Sequence, residues 1–280
     1  MRARRVEGHG GVGLHVAEAG PEDAPAILLL HGWSQHHLSW ERTLRGDLAR
    51  RFRLVAPDLR GHGASDKPDA PGAYDNPEPW AGDVAALIGT LGPAAPVVVG
   101  WSMGGWVACD YLGGFGDAGI SGLVLIGSAA RTGALADPAI VAKRRPDVAA
   151  QGMYSEDQAA ALDAAVAFVR ACFSAPIGKR DLARMVGFNM LVPPAVRRAA
   201  RLRDNDYRAT LGALSKPAMV IQGADEKVCV PEAFRETVDA LRNPRVEIYP
   251  GCGHAPFRED PARFDADLDA FAATCFGTAP

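Results

Sequence analysis

The sequence predicts an α/β protein built on a mostly parallel, eight-stranded sheet flanked by helices, with a helical lid inserted late in the sheet. Three observations carry this. Short Val-, Leu- and Ile-rich runs bounded by Gly, Pro or Asp recur along the chain, and most alternate with amphipathic segments of helical length. One interval of about 85 residues, 130 to 215, breaks that rhythm.

In chain order, residues 4–10 and 12–19 read as an opening hairpin around Gly10-Gly11, and strands follow at 26–32, 52–58, 95–100, 122–128, 217–223 and 245–250. Helices are expected near 38–51, 78–91, 103–114, 233–242 and 260–274. Their start signals include Asn76-Pro77-Glu78-Pro79, Pro231 and Asp260-Pro261. Residues 130–215 hold no strand pattern but several Ala-, Arg- and Leu-rich stretches at helical period. A connection that long carries its own structure, so 1–129 and 216–280 are expected to form the core domain and 130–215 a helical cap.

The composition narrows the function classes. The 280 residues are 48% hydrophobic and 22% charged, which is globular usage rather than that of a disordered or fibrous chain. A net charge of −3 and the lack of a basic tract give no reason to expect a nucleic-acid or anionic-membrane partner. Apolar runs such as 26–30 and 97–99 fall far short of the roughly 20 residues that a bilayer requires. Met1-Arg2-Ala3-Arg4-Arg5 is a positive start, but Glu7, His9 and glycines follow where a signal peptide has its apolar segment, so a cytoplasmic location is expected. The five cysteines (109, 172, 229, 252, 275) are odd in number and form no CxxC, which indicates neither a disulfide framework nor a zinc site. HExxH and GxxxxGK[ST] are lacking, and the glycines at 8–13 lie in a hairpin, so no metal or cofactor is expected. The expected partner is a small-molecule substrate.

The chemistry concentrates in Val97-Val98-Val99-Gly100-Trp101-Ser102-Met103-Gly104-Gly105-Trp106: a buried strand, a tight turn, then a helix start. This is G-x-S-x-G in a strand-to-helix context. Gly100 and Gly104 let neighbouring backbone approach, so Ser102 projects at the carboxyl edge of the sheet beside the helix N-terminus. A serine hydroxyl needs an adjacent base, usually a histidine oriented by a carboxylate. Of the seven histidines, only His254 follows Ser102, in the glycine-rich loop Gly251-Cys252-Gly253-His254 beyond a strand.

At this point the chain resembles the α/β-hydrolase superfamily, and more closely its small esterase, lactonase and cofactor-free haloperoxidase members. The motifs that carry the resemblance span nearly the whole chain. They are His31-Gly32-Trp33-Ser34 after a buried strand, Asp58-Leu59-Arg60-Gly61-His62-Gly63-Ala64-Ser65, the Ser102 turn, Gly223-Ala224-Asp225-Glu226 and Gly253-His254. The resemblance implies an oxyanion hole from the backbone N–H groups of Trp33 and Met103, and a bracing role for Arg60 to Gly63. In relatives the triad acid lies three residues after the strand-ending glycine, usually as aspartate. Here that place is Glu226, and Asp225, one residue earlier, is the alternative.

The insertion concentrates soft apolar side chains, among them Met153, Tyr154, Phe168, Phe173, Met185, Phe188 and Met190. With Trp33, Trp101 and Trp106 near the turn, the expected pocket takes an uncharged acyl or aryl group, and Trp33, Trp101, Phe188 and Met190 are the candidate substrate-binding residues. His36 and His37 are read as a surface pair or as residues at the pocket rim. The expected function is hydrolysis of a carboxylic ester or lactone through an acyl-enzyme. The alternatives are perhydrolysis of the haloperoxidase kind or C–C bond hydrolysis on the same triad, or a non-catalytic small-ligand receptor on the same fold.

Overall fold

In the computed structural model, which describes residues 1–92, 94–143 and 150–278, every expected strand forms within a few residues of its predicted place. The strands are β1 (Arg2–Glu7), β2 (Gly13–Ala19), β3 (Ala26–Leu30), β4 (Arg53–Pro57), β5 (Val97–Trp101), β6 (Gly122–Ile126), β7 (Arg131–Thr132), β8 (Asn205–Asp206), β9 (Ala218–Gly223) and β10 (Arg245–Tyr249). Eight of them make one sheet in the order β1-β2-β4-β3-β5-β6-β9-β10. β2 runs antiparallel to β1 and β4, and the remaining pairs are parallel. β3, β5, β6 and β9 are buried at every residue, which is why they read as unbroken apolar runs rather than alternating ones.

Helices Pro77–Gly89, Met103–Phe115, Pro231–Ala240 and Pro261–Phe276 cover the sheet. Two start as their sequences require: the Asn76 side chain accepts the Glu78 N–H at 3.0 Å, and Asp260 accepts the Arg263 N–H at 3.3 Å. The helix expected over 38–51 is instead a 3-10 turn, His37–Trp40, followed by short helices Glu41–Arg45 and Leu48–Arg51. Gly46 breaks it by adopting extended backbone. Among the described residues, no helix is long and apolar enough to cross a membrane.

The interval 130–215, of which 144–149 lie outside the described residues, holds helices Pro138–Val141, Gln158–Ala171, Lys179–Met190, Pro194–Arg201 and Arg208–Ala213. It is not strand-free as expected. β7 and β8 pair antiparallel, Arg131 with Asp206 and Thr132 with Asn205, and so clasp the two ends of the interval together. The clasp escapes sequence reading because two polar residues carry no apolar period. Side chains stabilise it instead, with Asn205 Nδ2 donating to Thr132 Oγ1 at 2.8 Å and Thr132 Oγ1 donating to the Arg203 carbonyl at 2.9 Å.

Beside the clasp, Arg203 Nη2 donates to both Asp110 oxygens at 2.7 Å, and the Tyr207 hydroxyl donates to Asp110 Oδ1 at 2.7 Å. Both members of the ion pair are 0% exposed, so the pair ties the helix after β5 to the end of the interval without access to water. Removing one partner strands the other charge in the interior. Asp110→Ala is expected to lower the unfolding free energy by about 3–5 kcal/mol, while Asp206→Asn at the exposed, solvent-screened Arg208 pair leaves it nearly unchanged. Urea unfolding of both variants checks this; equal, small losses would show that the buried pair is not a structural tie.

Candidate active site

Ser102 sits between β5 and the helix Met103–Phe115 with φ 53° and ψ −117°, a conformation that side chains rarely adopt. Three hydrogen bonds hold it there. The Ser102 N–H donates to the Ile126 carbonyl of β6 at 2.8 Å, and the Ser102 carbonyl accepts the Gly105 N–H at 2.9 Å and the Ser128 hydroxyl at 3.0 Å. A Cβ on Gly100 would lie 2.5 Å from the Gly105 backbone, and one on Gly104 would overlap the Leu30 carbonyl of β3. Both glycines are therefore required by close approach, as the motif predicts. The Met103 N–H lies in the first helical turn, where no intrahelical acceptor exists.

The loop after β10 carries His254 and the loop after β9 carries the acid. Glu226 Oε2 accepts from His254 Nδ1 at 2.7 Å, with both side chains 1% exposed, and Glu226 Oε1 accepts the Val228 N–H at 2.6 Å. Of the two candidate acids the structure brings Glu226 to the histidine. Asp225 is exposed, with its N–H on the Cys252 carbonyl at 2.9 Å. The bond at Nδ1 leaves Nε2 as the free ring nitrogen. Ser102 and His254 line one cavity of about 530 Å³.

Gly32 backs onto the same serine, where a Cβ would stand 3.4 Å from Ser102 Cβ, and this places the Trp33 peptide beside the turn. Two buried histidines shape that loop. His31 Nδ1 donates to the Gly32 carbonyl at 2.9 Å and its Nε2 accepts the Leu59 N–H at 3.0 Å. His62 Nδ1 donates to the Arg60 carbonyl at 2.8 Å, and its Nε2 accepts the N–H of Ser34, itself at φ 59°, at 3.2 Å. The segment 60–63 thus braces the loop, as the resemblance implied.

His36 and His37 are buried around Asp58 rather than exposed or at a pocket rim. Asp58 Oδ1 accepts the His37 N–H at 2.8 Å and His37 Nδ1 at 2.9 Å, while Oδ2 accepts the Ala64 N–H at 2.9 Å. Burial alone would raise the Asp58 carboxyl, but the His37 hydrogen bond and the neighbouring imidazoles hold it well below the usual carboxylate range. His15, His37 and Asp58 have donor atoms within 4.8 Å of one another, the spacing of a metal site. With Asp58 engaged on both oxygens, that group reads as a brace rather than an open coordination sphere.

The cavity wall corrects the substrate-binding expectation. Trp33 lines it, meeting Phe168 edge-on at 5.3 Å and Tyr154 at 6.5 Å. Trp101 does not: its Nε1 donates to the His254 carbonyl at 2.7 Å and its ring packs on Phe257, so it supports the histidine from behind. Phe188 and Met190 also lie outside the cavity. Phe188 packs on His36 at 5.5 Å, and the Met190 sulfur contacts Arg197. Tyr154 and Phe168 contribute the aromatic lining instead, together with Trp106 near the turn, and Arg201, Asp204 and Lys227 add a polar side to a pocket expected to be apolar. Phe168 shares the buried face of its helix with Ala161 and Ala165, a helical spacing visible in the sequence that marks a face but not what the face meets.

The chain as a whole is similar to known proteins. A family model described as the alpha/beta hydrolase family matches residues 27–267. The structure is similar to that of an esterase, RhEst1, from Rhodococcus sp. ECU1013, with a TM-score of 0.88 and 32% identity over 98% of this chain and all of that one. It is also similar to a Burkholderia cenocepacia protein assigned as an aryl esterase, with a TM-score of 0.89 and 30% identity over 99% of this chain and 100% of that chain. Among curated proteins, the pimeloyl-[acyl-carrier protein] methyl ester esterase of Nitrosomonas europaea is 29% identical over 92% of this chain and 98% of its own length.

The bracing histidines set an acid limit. Burial lowers His31 well below the ordinary 6.5 and brings His62 to about 4, so both stay neutral in the fold and accept backbone N–H groups. The unfolded chain takes up these protons as pH drops below 6.5, before the folded chain does, so stability is lost on acidification from 6.5 toward 4. The loss is up to about 1.4 kcal/mol per pH unit for each histidine. Urea midpoints measured from about pH 7 to about pH 4.5 should fall, and His62→Gln should make that fall shallower by about one histidine's share. Midpoints that stay level, or an unchanged slope in the variant, would contradict this.

Proposed function

The chain belongs to the α/β-hydrolase family, and from that premise we propose that it is a serine hydrolase cleaving carboxylic esters or lactones through an acyl-enzyme. One observation carries the reading: the buried Glu226–His254 pair converges with the strained Ser102 on a single cavity. The esterase names of its relatives support the ester class.

In this mechanism Ser102 Oγ attacks the carbonyl carbon while His254 Nε2 takes the hydroxyl proton. Glu226 stabilises the resulting imidazolium through Nδ1 in a site shielded from water. The N–H groups of Trp33 and Met103 receive the oxyanion; one such donor typically contributes on the order of 10²–10³ in rate. The tetrahedral intermediate collapses, and the leaving alcohol oxygen takes the proton from His254. Water then attacks the acyl carbon as His254 removes its proton, and Ser102 recovers its hydroxyl proton as the acid departs. The 130–215 segment acts as a cap, supplying Tyr154 and Phe168 to an aromatic wall that receives an apolar acyl or aryl group.

Glu226→Gln is expected to cut kcat by on the order of 10⁴, and Asp225→Asn by no more than a few-fold; steady-state assays with a short p-nitrophenyl ester check the ranking, and its reversal would move the acid role to Asp225. Across p-nitrophenyl esters from acetate upward, kcat/KM should rise by about 0.8 kcal/mol for each methylene buried until the cavity fills. Phe168→Ala and Tyr154→Ala should flatten that rise, whereas Phe188→Ala should leave its slope unchanged. A flat profile in the unmodified protein, indifferent to these changes, would reduce the cap to scaffold.

A further inference from the structure

His254 is secured through its backbone as well as its ring. Its N–H donates to the Cys172 carbonyl at 2.9 Å, and its carbonyl accepts the Trp101 indole N–H at 2.7 Å. The preceding Gly253 N–H donates to Glu259 Oε1 at 2.7 Å, and Glu259 Oε2 accepts the Ser174 N–H at 2.8 Å. Ser174 Oγ donates to the Gly251 carbonyl, and Lys227, next to Glu226, donates from Nζ to the Phe173 carbonyl at 3.2 Å. Residues 172–174, where the chain leaves the helix Gln158–Ala171, therefore touch the histidine loop on one side and the acid loop on the other. Gly253 makes the approach possible, because a Cβ there would stand 2.9 Å from the Ser174 nitrogen.

We propose that Glu259 is a positioning residue: by bridging the N–H groups of Gly253 and Ser174 it fixes His254 against Glu226 and joins the base to the 130–215 segment. Glu259 is not part of the cavity wall, so it acts through His254 and not on substrate. A carboxylate suits this place because each of its two oxygens accepts one backbone N–H, and bonds to an ionised acceptor are the stronger kind. The alternative partner for either N–H would be water, which would let the loop carrying the base drift, and a displacement of about 1 Å at a reacting group can cost on the order of 10² in rate. The inference rests on the serine-hydrolase reading, with His254 as base.

The test compares Glu259→Ala, Glu259→Gln and His254→Ala in the full chain, measuring kcat and KM on a p-nitrophenyl ester per folded molecule, with the folded fraction taken from circular dichroism. Glu259→Ala should lower kcat by on the order of 10² with KM within about twofold. Glu259→Gln keeps the shape and one acceptor oxygen, so it should fall between, at about tenfold, and it supplies the test should the alanine variant not fold. A purely structural role would lower the folded fraction and leave kcat per folded molecule unchanged. That result, with His254→Ala inactive, overturns the positioning role alone. Full activity in His254→Ala overturns the hydrolase reading itself.

Discussion

The backbone crossing at Ser102 admits no side chain on two of its neighbours, and the rest of the site is arranged around that crowding. The Leu30 carbonyl at the end of β3, the Gly105 backbone and the Ile126 carbonyl at the end of β6 all press on the turn. Left-handed backbone at a serine costs about 1–3 kcal/mol, and the three hydrogen bonds to the Ser102 peptide, at about 1 kcal/mol each, offset it. Because Leu30 and Ile126 belong to the sheet and Gly105 to the helix that follows β5, the turn is held between the strand ends and the first turn of that helix. The loops that supply its proposed partners leave the carboxyl ends of β3, β9 and β10, along one edge of the same sheet.

Those loops share one device. Backbone N–H groups that leave a strand lose their ladder partners and must find others if they stay buried. Here side-chain acceptors take them: His62 for Ser34, His31 for Leu59, Asp58 for His37 and Ala64, Glu226 for Val228, and Glu259 for Gly253 and Ser174. The acceptors are two neutral imidazoles and the Asp58 carboxylate around the loop after β3, and carboxylates around the histidine. Stability and site geometry therefore depend on the same protonation states, which links the acid limit to the integrity of the site.

The sheet was legible in the sequence because strands buried on both faces, such as β5 and β6, read as continuous apolar runs bounded by turn residues. Ser102 was legible because it stands between glycines directly beyond such a run, and His254 because it follows Gly251 and Gly253 in the loop beyond the alternating edge strand β10. Glu226 was separable from Asp225 only by its offset from Gly223, and the geometry then agrees with that offset. What escaped lacked a period or depended on tertiary direction. β7 and β8 are two polar residues each, and Gly46 interrupts an otherwise helical stretch. Phe188, Met190 and Trp101 have the composition of a pocket, but composition does not say which cavity a buried face meets; packing turns all three elsewhere and turns Phe168 and Tyr154 inward. Lys227 and Glu259 are ordinary surface types by sequence, and only the folded loops give them partners.

Everything proposed for the site depends on Ser102 being the nucleophile of a hydrolase. Treating the protein with a fluorophosphonate and mapping the modified peptide by mass spectrometry tests this most directly. A single adduct on Ser102, prevented in Ser102→Ala together with a loss of ester hydrolysis of several orders of magnitude, is the result the account predicts. An adduct on another residue, or full hydrolysis by Ser102→Ala, would contradict it.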